Sequence, residues 1–136
     1  MINEIIAGIR DVLMKEFNCE ICTEQSSSRP HFHISCVRST WKKQLADRYL
    51  MRNEFVIQYL PVSETQPAAE CYEAAGKLNW LLEFIEVNGI LLCADDRKSE
   101  IVDGKLNYFV NYDCLICKQK QQMAMDSVSS KTNVKG

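Results

Sequence analysis

The stretch DGKLNYFVNYDCLICKQK, residues 103–120, decides how the chain is read. Leu106, Tyr108, Val110, Tyr112, Cys114 and Ile116 occupy every second position, with Phe109 and Leu115 on the alternate set. A period of two over this length is a strand with one apolar face, as expected of a central strand packed under helices. Asp103-Gly104 in front of it is a two-residue hairpin turn, because that turn needs positive φ, which Gly adopts freely and Asp tolerates. The turn sets Ile101 opposite Leu106. The same stretch also ends in Cys114-Leu-Ile-Cys117, and Cys19-Glu-Ile-Cys22 has the same internal spacing near the front of the chain. Four thiolates on one zinc ion is therefore the competing reading.

Residue type and geometry argue against it. Structural zinc pairs come from tight turns that aim both members inward, whereas positions i and i+3 of a strand point to opposite faces. Neither CEIC nor CLIC holds a Gly or Pro, and buried free cysteine behaves as a small apolar side chain. His31 and His33 share one strand face, but no carboxylate pattern nearby completes a metal or catalytic site. No Gly-rich phosphate loop and no serine elbow is present, and the chain has only five glycines. The residues assign no enzyme activity and no cofactor.

Elsewhere the pattern alternates between helix and strand. Ile2, Ile5, Ile6, Ile9, Val12, Leu13 and Phe17 recur at three- and four-residue steps and form one face of a helix. Residues 31–38 carry Phe32, Ile34 and Cys36 on one strand face, a second strand is expected near 43–50, and a third spans about 52–60 before Pro61. Pro67 opens a second helix, capped by Thr65 or Gln66, whose core positions Cys71, Ala75, Leu78, Leu82 and Ile85 carry it to Asn88-Gly89. EFIEV and ADDRKSE read as solvated surface, the latter as a mixed-charge loop. The sum is an α/β (α+β) fold, a twisted, mainly antiparallel sheet flanked by two helices. Residues 1–118 form one domain, and the polar segment 119–136, poor in large apolar residues, is expected to be disordered in isolation.

Composition bounds the partners. The 136 residues are 46% hydrophobic and 25% charged with a net charge of -2, so nothing pulls the chain strongly to nucleic acid or an anionic membrane. Glu4, Arg10, Asp11, Lys15 and Glu16 interrupt the N-terminal apolar run before a signal peptide or membrane span could form. A cytoplasmic location follows as an expectation, with the seven cysteines reduced.

Four segments taken together, MINEIIAGI, DRYLMRNEFVIQYLP, ECYEAAGKLNWLLEFIEVNGILL and SEIVDGKLNYFVNYD, resemble the small tail-terminator proteins of long-tailed phages and prophages of Gram-positive bacteria. The resemblance spans residues 1–118 in order and spacing. It implies a non-enzymatic ring, typically a hexamer, that caps the tail tube, stops its growth and presents a surface to the head-side connector. The implied partners are further copies of the chain, the tube protein, a sheath protein in a contractile tail, and the connector. Arg48, Arg52 and Glu54, with Asp95, Asp96 and Arg97, are the candidate ring contacts. A head–tail connector adaptor and a small zinc-binding protein using the cysteine pairs stand as alternatives.

Overall fold

The computed structural model describes residues 1–17, 20–22, 31–117 and 122–123. In chain order the elements are α1 (Ile2–Glu16), β1 (Glu20–Cys22), β2 (His31–Lys43), β3 (Arg48–Leu60), α2 (Pro67–Leu81), β4 (Phe84–Val87), β5 (Ile90–Val102), β6 (Lys105–Cys117) and β7 (Gln122–Met123). The strands form one sheet in the order β1-β2-β3-β6-β5-β4, and β7 pairs with the end of β6. Every pairing is antiparallel except that of β1 with β2. The α+β architecture is as expected, with β6 at the centre.

The alternation in β6 explains the layering. Leu106, Tyr108, Val110, Tyr112 and Cys114 are buried, and the facing positions of β3 (Met51, Asn53, Phe55, Ile57 and Tyr59) and β2 (Phe32 and Ile34) continue the same layer. Both helices close over this face. Helix α1 inserts Ile5, Ile9 and Leu13, and α2 inserts Cys71, Ala74, Ala75 and Leu78. Gly8 is required where α1 crosses β4, since a Cβ there would stand 2.9 Å from the Glu86 carbonyl oxygen. The opposite face of the sheet has no helix over it among the described residues.

Three sequence expectations are corrected. The strand expected at 43–50 is not separate, because β2 runs on to Lys43 and turns through residues 44–47 into β3, making one long hairpin. The second helix stops at Leu81, and residues 84–87 form β4, joined to β5 by Asn88-Gly89 at φ 53° and 79°. Those angles suit the same two-residue turn that Asp103-Gly104 makes at φ 54° and 75°, where Ile101 does face Leu106. Residues 95–100 are not a loop but the middle of β5, where Asp95 and Asp96 bulge out between the Ala94–Tyr112 and Arg97–Val110 pairs. Apart from Gln122–Met123, the polar segment 119–136 lies outside the described residues.

The two ends of α2 are fastened differently. Gln66 is the N-cap, although its side chain makes no capping bond. The loop ahead of it is held by Glu70, which accepts from the Tyr59 hydroxyl at 2.6 Å and from the Val62 and Ser63 amides at 2.8 and 2.9 Å. At the other end, Tyr112 donates to the Leu82 carbonyl, Arg97 to the Asn79 carbonyl at 2.6 Å, and Tyr108 to Asn79 Oδ1 at 2.7 Å. Tyr112 and Arg97 thereby satisfy main-chain carbonyls that the helix end leaves without partners, and Tyr108 holds the Asn79 side chain.

Burial pushes the Tyr108 hydroxyl up to about 12, with Arg97 opposing the rise, and pushes Tyr112 up as well. Both phenols therefore keep their protons in the fold above the pH, about 10, at which an unfolded chain releases them. The stability they contribute is complete below about pH 10 and is lost as pH rises toward the folded values. Urea midpoints should hold steady from about pH 6 to 8, begin to fall near pH 9 because burial also raises the Cys36, Cys71 and Cys114 thiols, and fall further above 10, and Tyr108→Phe should lower the neutral midpoint while reducing the slope above pH 10.

Candidate functional site

The described members of the two cysteine pairs do not meet. Cys22 is level with His33 and Gln58, Cys114 is opposite Met51, and Cys117 is opposite Arg48. Gln58 and Met51 are seven positions apart on β3, so about 23 Å of strand separates the level of Cys22 from that of Cys114. Cys117 is further away still. Thiolates sharing a zinc ion must all lie within about 2.3 Å of the metal, so no four-cysteine site is possible here. Cys19 lies outside the described residues. Cys114 is a core residue, and burial pushes its thiol up, away from the thiolate form that metals need. His33 lies on the uncovered sheet face with Nδ1 3.3 Å from Gln58 Oε1, and Gln58 donates on to Asn107 at 2.9 Å. This is a polar ladder across three strands.

The charged candidates separate into two places. Arg48, Arg52 and Glu54 alternate with the core positions of β3 and so project from the uncovered face. Arg52 Nε is 3.6 Å from half-buried Asp113 Oδ2 on β6, and with Arg52 itself exposed the pair contributes little stability. Burial pushes the Asp113 carboxyl up, Arg52 opposes this, and Asp95 and Asp96 add to the rise. The β5 bulge thus lies beside the Arg52–Asp113 pair. Glu54, Asp96 and Arg97 line one shallow depression of about 330 Å³ with Lys98, Phe109 and Asn111. Arg97 also reaches the other way, to the end of α2. Arg48 stands apart, out along the hairpin opposite Cys117. Asp113 and Phe109 complete the cluster, and their place in it follows from strand register.

Two larger surfaces carry apolar groups. The far end of the β2–β3 hairpin, an arm flanked by the end of β6, is exposed. On it Trp41 packs against Tyr49 with ring centres 5.8 Å apart yet stays 57% exposed, and Leu45 at the tip is 87% exposed. On the far flank, α2 also carries apolar residues on its outer side, alongside the exposed Glu73 and Lys77. Its outer side presents Ala69, Tyr72, Gly76 and Trp80, and Trp80 is 80% exposed. Phe84 and Leu91 are exposed on the outer face of β4 and β5, opposite the face that the helices cover.

The profile of a phage tail terminator protein family matches residues 4–124, from the first turn of α1 to just beyond β7. The chain belongs to the phage tail terminator family. No curated protein matches it. Membership supports a structural role in phage tail completion and a place in the virion tail, and the family is structural, not enzymatic. No helix among the described residues is long and apolar enough to cross a membrane. For a terminator the surfaces that matter are those able to engage neighbouring protein, which draws attention to the arm, the outer side of α2 and the β5 bulge. Purified protein should hold no stoichiometric zinc by metal analysis, and Cys117→Ser should shift the unfolding midpoint by no more than about 0.5 kcal/mol.

Proposed function

We propose that the chain is the terminator of a phage tail or phage-tail-like particle. Identical copies, six in number, close into a ring on the head-side end of the tail tube, stop its polymerisation and present the surface that the connector meets. The family match over residues 4–124 carries this reading. Its partners are the tube protein, the sheath protein where the tail is contractile, and the connector. Assembly takes place in the host cytoplasm, after which the ring remains in the tail.

The fold supports the reading through its unlike surfaces. A terminator must accept the tube on one side and refuse to template another ring on the other. One sheet face lies under the helices, and the other is a polar face crossed by the His33–Gln58–Asn107 ladder and the Arg52–Asp113 pair. Beyond the bulge, β5 pairs only with β6 among the described residues, and its free edge carries Asp96, Arg97, Lys98 and Glu100. Charges and a bulge are standard means of keeping an edge strand from pairing with another chain. Glu54, Asp95, Asp96 and Arg97, with Arg52, make up a sheet-face contact with a neighbour, and Arg48 belongs to the arm. Residues 1–118 form the assembling body.

Deleting the gene from its parent phage or prophage, then restoring it, should change the tail-length distribution seen by electron microscopy. The expected outcome is overlong, variable tails that return to one length on complementation. Tails of normal length beside unattached heads would instead assign the chain to the connector side of the neck.

A further inference from the structure

We infer that the open edge of β2, with the turn beyond it, binds the sugar–phosphate backbone of a single-stranded nucleic acid without regard to base sequence. The inference is independent of the ring reading. Charge is where it begins. From Val37 to Asn53 the chain holds five cations, Arg38, Lys42, Lys43, Arg48 and Arg52, and a single acid, Asp47. The net charge of -2 conceals this patch, because acids predominate in the rest of the chain. All five cations are exposed, and among the described residues only Arg52 enters an ion pair, with Asp113. Glu54 stands opposite Arg38 in the register without an ion pair to it. Arg38, Lys42, Lys43 and Arg48 are therefore the charges left to a partner.

Strand register sets these charges along one line. Beyond His33, β2 pairs only with β3 among the described residues, so its other edge is open. Arg38 and Lys42 lie opposite Glu54 and Leu50 and project from the uncovered sheet face. Arg48 follows on that face, level with Gln44, whose amide donates to the Arg48 carbonyl at 2.8 Å. Six residues separate the levels of Arg38 and Arg48, about 20 Å of strand, the length of a few nucleotides. Lys43 lies on the other side of the same edge, as does Trp41.

Trp41 selects the occupant. Its indole packs against Tyr49 with ring centres 5.8 Å apart, so the ring is held in place, yet it stays 57% exposed. Cations that follow a backbone, beside a fixed aromatic ring on which a base can stack, are how proteins hold single strands. A duplex keeps its bases stacked on one another, and an acidic protein surface has none to offer, so neither makes the same use of Trp41. Contacts to phosphate and a stacked ring carry no sequence information.

Fluorescence anisotropy of a labelled oligothymidine of about 20 nucleotides, titrated with the full chain across a salt series, tests the site. Binding is expected at about 50 mM salt and should weaken about 50-fold by about 200 mM, the dependence that four phosphate contacts give. Lys42→Gln/Lys43→Gln should halve the slope of log affinity against log salt. In a Trp80→Phe background Trp41 is the sole tryptophan, and the oligonucleotide should quench its emission. The substituted side chains are all exposed, and circular dichroism checks that each variant keeps its fold. No binding at the lowest salt, an unchanged slope in the lysine variant, or binding without quenching would each overturn the inference. Polyglutamate bound as tightly as the oligonucleotide would also overturn it and assign the cations to an acidic protein surface. Duplex bound more tightly than the single strand would do the same in favour of double-stranded nucleic acid.

Discussion

One-sided burial along β6 is the constraint on which the rest of the molecule depends. Five alternate side chains, Leu106 to Cys114, are buried in a strand bounded by β3 on one side and β5 on the other. Fully burying each large apolar side chain contributes about 1.5–3 kcal/mol, and a register slip of one residue would turn the whole set to water. The register is fixed from the Asp103-Gly104 turn onward, so both neighbouring strands are bound to it. The helices can then cover only one face.

That arrangement also determines where α2 ends. Tyr108 and Tyr112 belong to the buried set, and their hydroxyls reach Asn79 and Leu82 at the C-terminal end of the helix. Arg97, from the strand on the other side of β6, supplies a cation to the same end, where the helix dipole favours it. Among the described residues, the one buried polar side chain of the core, Asn53, is also satisfied. It donates to the Tyr112 carbonyl at 3.1 Å and accepts from Ser39 at 2.8 Å, beside the register shift in β2. Beyond the Met51–Cys114 pair, β2 and β3 continue along the end of β6 to an exposed turn at residues 44–47. The apolar groups left uncovered are thus those that the core cannot use.

How much was legible in the sequence follows from how each residue signals. The β6 alternation, the α1 stripe and the Asp103-Gly104 turn are strong periodic or conformational signals, and the structure agrees with all three. The end of α2 was ambiguous because Ile85 continues the helical spacing of Leu78 and Leu82 and also sits in the alternation of β4, where Ile85 and Val87 are buried. Asn88-Gly89 serves equally as a helix stop and as a hairpin turn. The arm was hidden because its turn lacks Gly, Asn and Pro, and the residue at positive φ is Ala46 at 59°. Charge concealed β5: six charged or polar residues in a row read as a loop, yet on an exposed edge they are what keeps a strand single. Of the six candidate contact residues, β3 register brings Arg52 and Glu54 near the β5 bulge and sends Arg48 out along the arm. Family resemblance could suggest a ring but not this division between sheet face and arm, which depends on long-range register.

The account claims that this chain closes the head-side end of the tail as a single ring. Cryo-electron microscopy of that end of intact tails tests it most directly. One closed layer built from this fold, between the last ring of tube protein and the connector, is the result predicted. Copies distributed along the tube, or a head-side end with no density for the chain, would contradict it.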